Sequence, residues 1–326
     1  MSSSRQVRGW LAVAGLACLA FAACSRSSSS ASSSASGAAG VDAAAQVQVP
    51  EPPPAATTGG FDGARAYRHV QQLVAIGPHP PGSEGIRRAQ AYIIEQLKQA
   101  GCPVQEQDFH ASTSAGTVAM KNILAKIPGT GANTILIATH YDSKQMEGFV
   151  GADDGASSTA VVLELARLLC PRRGSANLWL VFFDGEEAFG QWSRIDGTYG
   201  SRQLAASLAL GGELRNVRAM ILADMVGSFN LTIKREANST TWLTNLIWET
   251  AARLGYAKTF INDSLYIEDD HTPFLARGVP AVDIIGFEVP YWHTVDDTLD
   301  KIDPRSLSIV GHVLIEALPE VEKRVR

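Results

Sequence analysis

Polar side chains that can transfer protons or bind metals follow three apolar stretches of the sequence. They are His140 and Asp142 after the first stretch, Asp184, Glu186 and Glu187 after the second, and Asp224 after the third. The second stretch, residues 178–183, is too apolar to be an exposed strand, so a solvated turn does not explain its end. Adjacent buried carboxylates such as Glu186 and Glu187 repel each other unless a cation or a shared proton is present. Because neighbouring side chains point in different directions, one can bind a metal while the other acts as a base.

Two further segments supply residue types that could complete a metal site. Asp153 and Asp154 lie between glycines, in a turn that leads into a predicted helix. Helix capping would explain one aspartate there, so Asp153 could be the cap, and either residue could be a ligand. His293 lies in a loop beyond the last predicted strand. Histidine nitrogen and carboxylate oxygen are suitable zinc ligands, and a catalytic zinc keeps one position open.

The elements that must position these residues alternate between strands and helices. Strands are predicted over residues 104–109, 118–127, 134–139, 178–183, 218–223 and 281–285, and helices over residues 62–75, 84–100, 156–169, 242–254 and 304–318. The first two strands are expected to pair antiparallel. Continuous apolar strands separated by helices indicate a mixed, mostly parallel sheet covered on both faces, which is a three-layer α/β/α sandwich. In such folds the ligand crevice lies beyond the carboxyl ends of the strands, where the acidic residues fall.

The N-terminal residues have the features of an export signal. Arg5 and Arg8 precede an apolar run that is too short to span a membrane comfortably, so residues 1–23 are predicted to be a signal peptide. Small residues before Cys24 indicate lipid attachment at this cysteine, which predicts an exported lipoprotein of the cell envelope. Cleavage after Ala23 without a lipid anchor is the alternative.

The composition changes sharply after the signal. Residues 24–60 are rich in Ser, Ala and Pro and cannot bury enough apolar surface to fold, so they are predicted to form a disordered tether. The remaining residues, 61–326, have the size of one large catalytic domain. The net charge is −5 without clustered Lys and Arg, which argues against a nucleic-acid partner. We expect a monomer.

Two smaller expectations concern single side chains in the domain. Its two cysteines, Cys102 and Cys170, could pair in an oxidising compartment, but the sequence does not indicate that they meet, and we expect free thiols. Lys144 is expected to be a solvated loop residue rather than the partner of Ser143 in a serine–lysine pair.

The domain resembles the glutaminyl cyclases that are related to zinc aminopeptidases, within the M28 metallopeptidases. The matching segments are residues 140–144, 151–156, 182–189, 199–202, 224–227, 269–275, 277–280 and 292–294. They occur in the family's order across nearly the whole domain, so the resemblance is specific at the level of the family.

The resemblance implies a role for each site residue. The ligands of one zinc ion fall on Asp154, Glu187 and His293; the general acid/base falls on Glu186; the acidic groups around the substrate amine fall on Asp224 and Asp269; and the aromatic lining of the glutamine pocket falls on Trp192 and Trp292. The implied reaction converts N-terminal glutamine of peptides or proteins to pyroglutamate with release of ammonia. Residues 227–241 and 262–267 are expected to form loops around the site.

A two-zinc aminopeptidase is the main alternative. The sequence keeps all five ligand types that such an enzyme uses, namely His140, Asp154, Glu187, Asp224 and His293. Metal spacing therefore does not separate the two functions, since the cyclases also keep His140 while using one zinc. The segments around Trp192, Asp269 and Trp292 favour the cyclase. A non-catalytic binding protein on the same fold is disfavoured because no metal ligand or base is lost.

Overall fold

The structure, a computed structural model, describes residues 49–326. The predicted signal peptide, the predicted lipid-attachment site Cys24 and most of the predicted tether lie outside this range. The last tether residues do not lie apart from the domain: residues 55–57 form a 3-10 turn, and the buried Thr58 donates a hydrogen bond to the Phe61 carbonyl at 2.6 Å. Within residues 49–326, no helix combines the length and apolarity that crossing a bilayer requires.

Seven helices and eight strands make up the described part of the chain. The helices are α1 (Gly63–Ile76), α2 (Glu84–Gln99), α3 (Ala156–Leu169), α4 (Tyr199–Leu210), α5 (Thr241–Arg253), α6 (Thr272–Leu275) and α7 (Pro304–Arg324). The strands are β1 (Val104–Thr113), β2 (Gly116–Ile127), β3 (Thr134–His140), β4 (Asn177–Phe183), β5 (Val217–Asp224), β6 (Ile233–Glu236), β7 (Phe260–Leu265) and β8 (Ala281–Ile285).

Six of the strands form one mixed sheet in the order β1-β2-β4-β3-β5-β8. The hairpin β1–β2 and the β2–β4 pair are antiparallel, and the other three pairs are parallel. His140 pairs with Phe183 at the carboxyl ends of β3 and β4, so the residues that follow both strands leave the sheet at the same edge. The predicted mixed, mostly parallel sheet is confirmed.

Helices cover both faces of this sheet. Along β3, Ile135 and Ile137 pack into a core shared with α1, α3 and α7, whereas Leu136 and Ala138 pack into a second core with α4 and α6. Because successive side chains of a strand point to opposite faces, a strand that is buried along its whole length needs a helical layer on each side. The predicted three-layer α/β/α architecture is confirmed.

Local signals in the sequence explain where the first helices begin. The Asp62 side chain accepts a hydrogen bond from the Arg65 amide, and the Ser83 side chain accepts one from the Ile86 amide. Each cap satisfies one of the free amide groups that begin a helix. Both caps agree with the sequence-based boundaries.

Three expectations about the fold were wrong. Cys102 and Cys170 form a disulfide, with Cα atoms 5.1 Å apart, because the end of α2 and the end of α3 pack side by side; the sequence carries no sign of that contact. Residues 227–241 and 262–267 do not consist of loops alone. Strand β6 lies within the first range and β7 overlaps the second, and the two strands form a second, parallel sheet. Helix α7 does not end at Leu318 but runs through Pro319 to Arg324.

Candidate metal centre and active site

A cavity of about 560 Å³ lies at the carboxyl ends of the central strands. All eight residues assigned to the main site line it: Asp154, Glu186, Glu187, Trp192, Asp224, Asp269, Trp292 and His293. These side chains come from segments that span 140 positions of the sequence, so the topology of the sheet brings them together. His140, the additional ligand expected for a peptidase, lies behind Asp154 and Asp224 rather than on the cavity wall.

Asp142 positions the two consecutive glutamates. Its buried carboxylate accepts a hydrogen bond from the Glu186 amide at 3.0 Å and another from the Glu187 amide at 3.2 Å. The preceding Gly185 has φ +72, a conformation that favours glycine, and a Cβ atom there would lie 2.7 Å from the sulfur of Met120. The turn after β4 therefore has a fixed backbone, which places both glutamates on the cavity wall.

Asp154, Glu187 and His293 form the first group of potential metal ligands. His293 Nε2 lies 3.2 Å from Glu187 Oε1 and 3.4 Å from Asp154 Oδ2. Each of the three residues offers a ligand atom within 4.8 Å of the other two. Although burial lowers the pKa of His293, contacts with Asp154 and Glu187 outweigh it and raise that pKa to about 9 in the metal-free protein.

Asp154 also belongs to a second group, together with His140 and Asp224. His140 Nε2 lies 3.1 Å from Asp224 Oδ1 and 3.3 Å from Asp154 Oδ1. Burial opposes protonation of His140, but Asp224, Asp142 and Asp154 together raise its pKa well above the usual value. The His140 imidazole thus lies between two buried carboxylates that favour its protonated form.

The chemistry of the first group fits a divalent cation. Two carboxylates and one imidazole are zinc ligands, and three protein ligands leave a coordination position for substrate. Asp154 Oδ2 is buried and makes no hydrogen bond, which is costly for a carboxylate oxygen unless a cation satisfies it. Burial would raise the pKa of Asp154, yet the nearby imidazoles of His140 and His293 hold that pKa below its usual value, so Asp154 stays ionised, as a metal ligand must.

Three further carboxyl groups of the cavity have pKa values above their usual range. Burial, together with the charges of Asp269 and Glu187, raises the pKa of Glu186 well above its usual value. Burial likewise raises the pKa of Asp269, and it raises that of Asp224 to about 7 although His140 acts in the opposite direction. Perturbed groups gathered in one cleft are typical of catalytic sites.

Two aromatic side chains form exposed walls of the cavity. Trp192 is 40% exposed and Trp292 is 41% exposed, so neither is an ordinary core residue. The Trp292 ring stacks on His293, with ring centroids 4.0 Å apart and planes 20° from parallel. Trp192 lies against Gly197, where a Cβ atom would come within 2.9 Å of the indole ring. Both rings are available to contact a substrate.

The sequence missed or misassigned several residues around the site. Asp153 does not cap α3; its carboxylate accepts hydrogen bonds from the Gly227 amide at 2.8 Å and the Tyr291 hydroxyl at 2.9 Å. Lys144 is not simply solvated, because its Nζ lies 3.2 Å from Glu187 Oε2 on the cavity wall. The sequence signal that could have identified Lys144 as a site residue was its position in the segment 140–144, which matches the family. Asp297, buried beside Asp154, gave no signal of its own.

The chain is similar to known proteins over most of its length. The model of peptidase family M28 matches residues 122–318. A glutaminyl-peptide cyclotransferase of Bothrops jararaca is 33% identical over 281 residues, which cover 74% of this chain and 76% of the relative. The crystal structure of an Acidobacteriales bacterium glutaminyl cyclase has a TM-score of 0.76 and 37% identity, covering 87% of this chain and 99% of that one. A Zn-dependent exopeptidase from Parabacteroides distasonis has a TM-score of 0.73 and 26% identity, covering 82% of this chain and 98% of that one.

Proposed function

The chain belongs to peptidase family M28, and we propose that within this family it is a zinc-dependent glutaminyl cyclase. It converts N-terminal glutamine of peptides or proteins to pyroglutamate and releases ammonia. The observation that carries this proposal is that Glu186 and the ligand group of Asp154, Glu187 and His293 line the same cavity. The similarity to glutaminyl cyclases over most of the chain favours cyclisation over peptide hydrolysis.

Asp154, Glu187 and His293 would hold one zinc ion per chain. When bound, this ion supplies Lewis-acid chemistry that polarises the γ-carbonyl group of the glutamine side chain. Lys144 pairs with the Glu187 oxygen that faces away from His293, and this contact keeps the carboxylate oriented.

Glu186 acts as the general acid/base. The α-amine nitrogen of the substrate attacks the γ-carbonyl carbon, a C–N bond forms, and the C–N bond to the side-chain amide group breaks. Glu186 accepts the proton that the amine loses and returns it to the departing ammonia, so the carboxyl group ends as it began. Its raised pKa suits this role because a base whose pKa approaches the working pH takes and returns a proton readily.

Asp224 and Asp269 bind the substrate amine. Both are buried on the cavity wall, where their carboxyl oxygens can accept hydrogen bonds from a neutral amine. Trp192 and Trp292 enclose the flat side chain and exclude water. The amine and the carbonyl belong to one residue, so the protein has only to fix a conformation in which they meet.

One observation favours a second candidate, a two-zinc aminopeptidase. Asp154 is shared between two groups of potential ligands, as a bridged pair of ions would require. We infer that in the cyclase His140, in contact with Asp154 and Asp224, supplies the positive charge that a second ion would supply in a peptidase. Metal analysis of active protein separates the two: one zinc equivalent supports the cyclase, whereas two equivalents support the peptidase.

A direct assay tests the activity. The purified protein is incubated with a peptide that begins with glutamine and, separately, with a leucine anilide. Release of ammonia from the glutamine peptide, together with a decrease in the peptide's mass by that of one ammonia, supports the cyclase. Anilide cleavage without ammonia release from the first substrate contradicts it.

We further propose that the protein is exported and anchored to the cell envelope through a lipid on Cys24. The residues before Cys24 support this, and the disulfide between Cys102 and Cys170 fits an oxidising compartment. In cell fractionation, the unmodified chain is expected with the membranes and a Cys24→Ser variant in the soluble fraction. Equal distribution of both chains would contradict the anchor.

A further inference from the structure

Asp297 joins the loop that carries His293 to the turn that carries Asp154. Asp297 is fully buried. Its Oδ1 accepts a hydrogen bond from the Asp153 amide at 2.8 Å, and its Oδ2 accepts one from the Asp154 amide at 3.0 Å. Its carbonyl oxygen also accepts a hydrogen bond from the Ala152 amide at 3.3 Å. One residue therefore makes three contacts with three consecutive residues of the turn.

The same loop contacts the turn at a second point. Tyr291, two residues before His293, donates a hydrogen bond from its hydroxyl to Asp153 Oδ2 at 2.9 Å. The other oxygen of Asp153 accepts a hydrogen bond from the Gly227 amide, which ties the turn to the chain after β5 as well. The segment from Tyr291 to Asp297 is thus fixed to the turn on both sides of His293.

His293 needs such support because its backbone conformation is unfavourable. Its φ of +53 lies in the left-handed region, which is unfavourable for a non-glycine residue and persists only where surrounding contacts impose it. Without the contacts of Asp297, the loop could relax to an ordinary conformation and move His293 Nε2 away from Glu187. The backbone amides of residues 153 and 154 would also lose the acceptors that orient Asp154.

We propose that Asp297 is a positioning residue for metal binding. It holds the side chains of Asp154 and His293 at the relative positions that metal binding requires before the ion binds. It acts through backbone amides and touches neither the ion nor the substrate. The inference rests on the metal-binding part of the proposed function. Loss of a group that orients metal ligands typically costs roughly 10- to 100-fold in metal affinity.

The test is the zinc affinity of an Asp297→Asn variant, measured by competition with a chelator. Asparagine keeps the size of the side chain but offers a single acceptor oxygen, so one of the two amides would face an NH₂ group. We expect zinc to bind roughly 10- to 100-fold more weakly than to the unmodified protein. Unchanged affinity would overturn the proposal. If the unmodified protein itself bound no zinc, the proposed function would fail instead, so the two failures are distinguishable.

A matched control separates positioning from general stability. Asp303 is also a buried aspartate that accepts a backbone hydrogen bond, from the Arg305 amide at 2.9 Å, where it caps α7. Asp303→Ala, which removes this cap, should lower the melting temperature of the chelator-treated protein but leave zinc affinity unchanged. If Asp297→Asn lowers that melting temperature and keeps the unmodified zinc affinity, Asp297 only stabilises the fold and the proposal is wrong.

A milder variant covers the case in which Asp297→Asn does not fold. Tyr291→Phe removes one hydroxyl from the same loop and leaves its ring in place. Because it releases only the second attachment of the loop, we expect zinc affinity to fall several-fold, less than for Asp297→Asn. Zinc affinity equal to that of the unmodified protein would contradict the idea that these attachments hold the ligands in register.

Discussion

Glu187 Oε1 lies 3.2 Å from His293 Nε2, although 106 residues separate the two in the chain. The carboxyl group of the adjacent Glu186 instead lies near Asp269, whose negative charge helps to raise the pKa of Glu186. Consecutive glutamates are thus assigned to different tasks, metal binding for one and proton transfer for the other. This assignment predicts that the two positions respond differently to the same substitution.

Glu186→Gln should retain zinc and lose turnover by on the order of 10²- to 10⁴-fold, the usual contribution of a general acid or base. Glutamine keeps the shape of the side chain but cannot accept the amine proton. Glu187→Gln is the matched control, and it should lose zinc affinity as well as activity. Metal content and initial rates measured on both variants check the assignment; a Glu186→Gln protein with normal turnover would remove Glu186 from the proton transfer.

Trp192→Ala should raise KM for a glutamine-initiated peptide about tenfold or more, since loss of about 1.4 kcal/mol of binding corresponds to a factor of ten. The Trp192 ring is partly exposed on the cavity wall, so its removal should cost binding rather than folding. Ile195→Ala is the matched control, because Ile195 lies in the same loop, is 77% exposed and does not line the cavity. A shift in melting temperature without a change in KM would contradict a substrate contact.

The sequence predicted elements well where local and long-range preferences agree. The bounds of α3 and β8 match the prediction because a glycine turn precedes the first, and a short, continuous apolar run defines the second. The convergence of the main site residues in one cavity was also predictable, since most of them follow a buried strand or lie in a segment typical of the family. Parallel strands bring their carboxyl ends to one edge of the sheet, so residues that follow different strands in the sequence lie close together in the fold.

Other features depend on contacts that a linear pattern does not contain. Helix α4 begins at Tyr199, its N-cap Thr198 makes no side-chain cap hydrogen bond, and half of its buried residues are small, so it lacks the usual signals. Strand β6 reads Ile-Lys-Arg-Glu and becomes a strand only through pairing with β7. The bonds of Asp297 to the turn at residues 152–154 likewise arise from tertiary packing, and nothing beside Asp297 in the sequence points to them.

Reduction of the disulfide should lower stability by about 4 kcal/mol, because Cys102 and Cys170 are 68 positions apart and a bridge of that span strongly restricts the unfolded chain. The bridge does not line the cavity, so turnover at 25 °C should be unchanged. Urea unfolding with and without a phosphine reductant measures the difference. A Cys102→Ala/Cys170→Ala double variant is the control and should not respond to the reductant. Equal unfolding midpoints for the reduced and oxidised protein would contradict the predicted stabilisation.

Zinc affinity should rise with pH up to about pH 9. In the metal-free protein His293 has a pKa of about 9, held up by Asp154 and Glu187 against the effect of burial, so below that pH zinc must displace a proton from it. The apparent Kd should therefore fall up to about tenfold per pH unit from pH 6.5 to pH 9 and level off above. The same proton stabilises the metal-free fold: because the folded pKa exceeds the unfolded value of about 6.5, this contribution is complete below pH 6.5 and is lost as pH rises through 9. Chelator competition and thermal melts of metal-free protein across this range measure both trends. A Kd independent of pH would show that His293 gives up no proton on binding and is not a ligand.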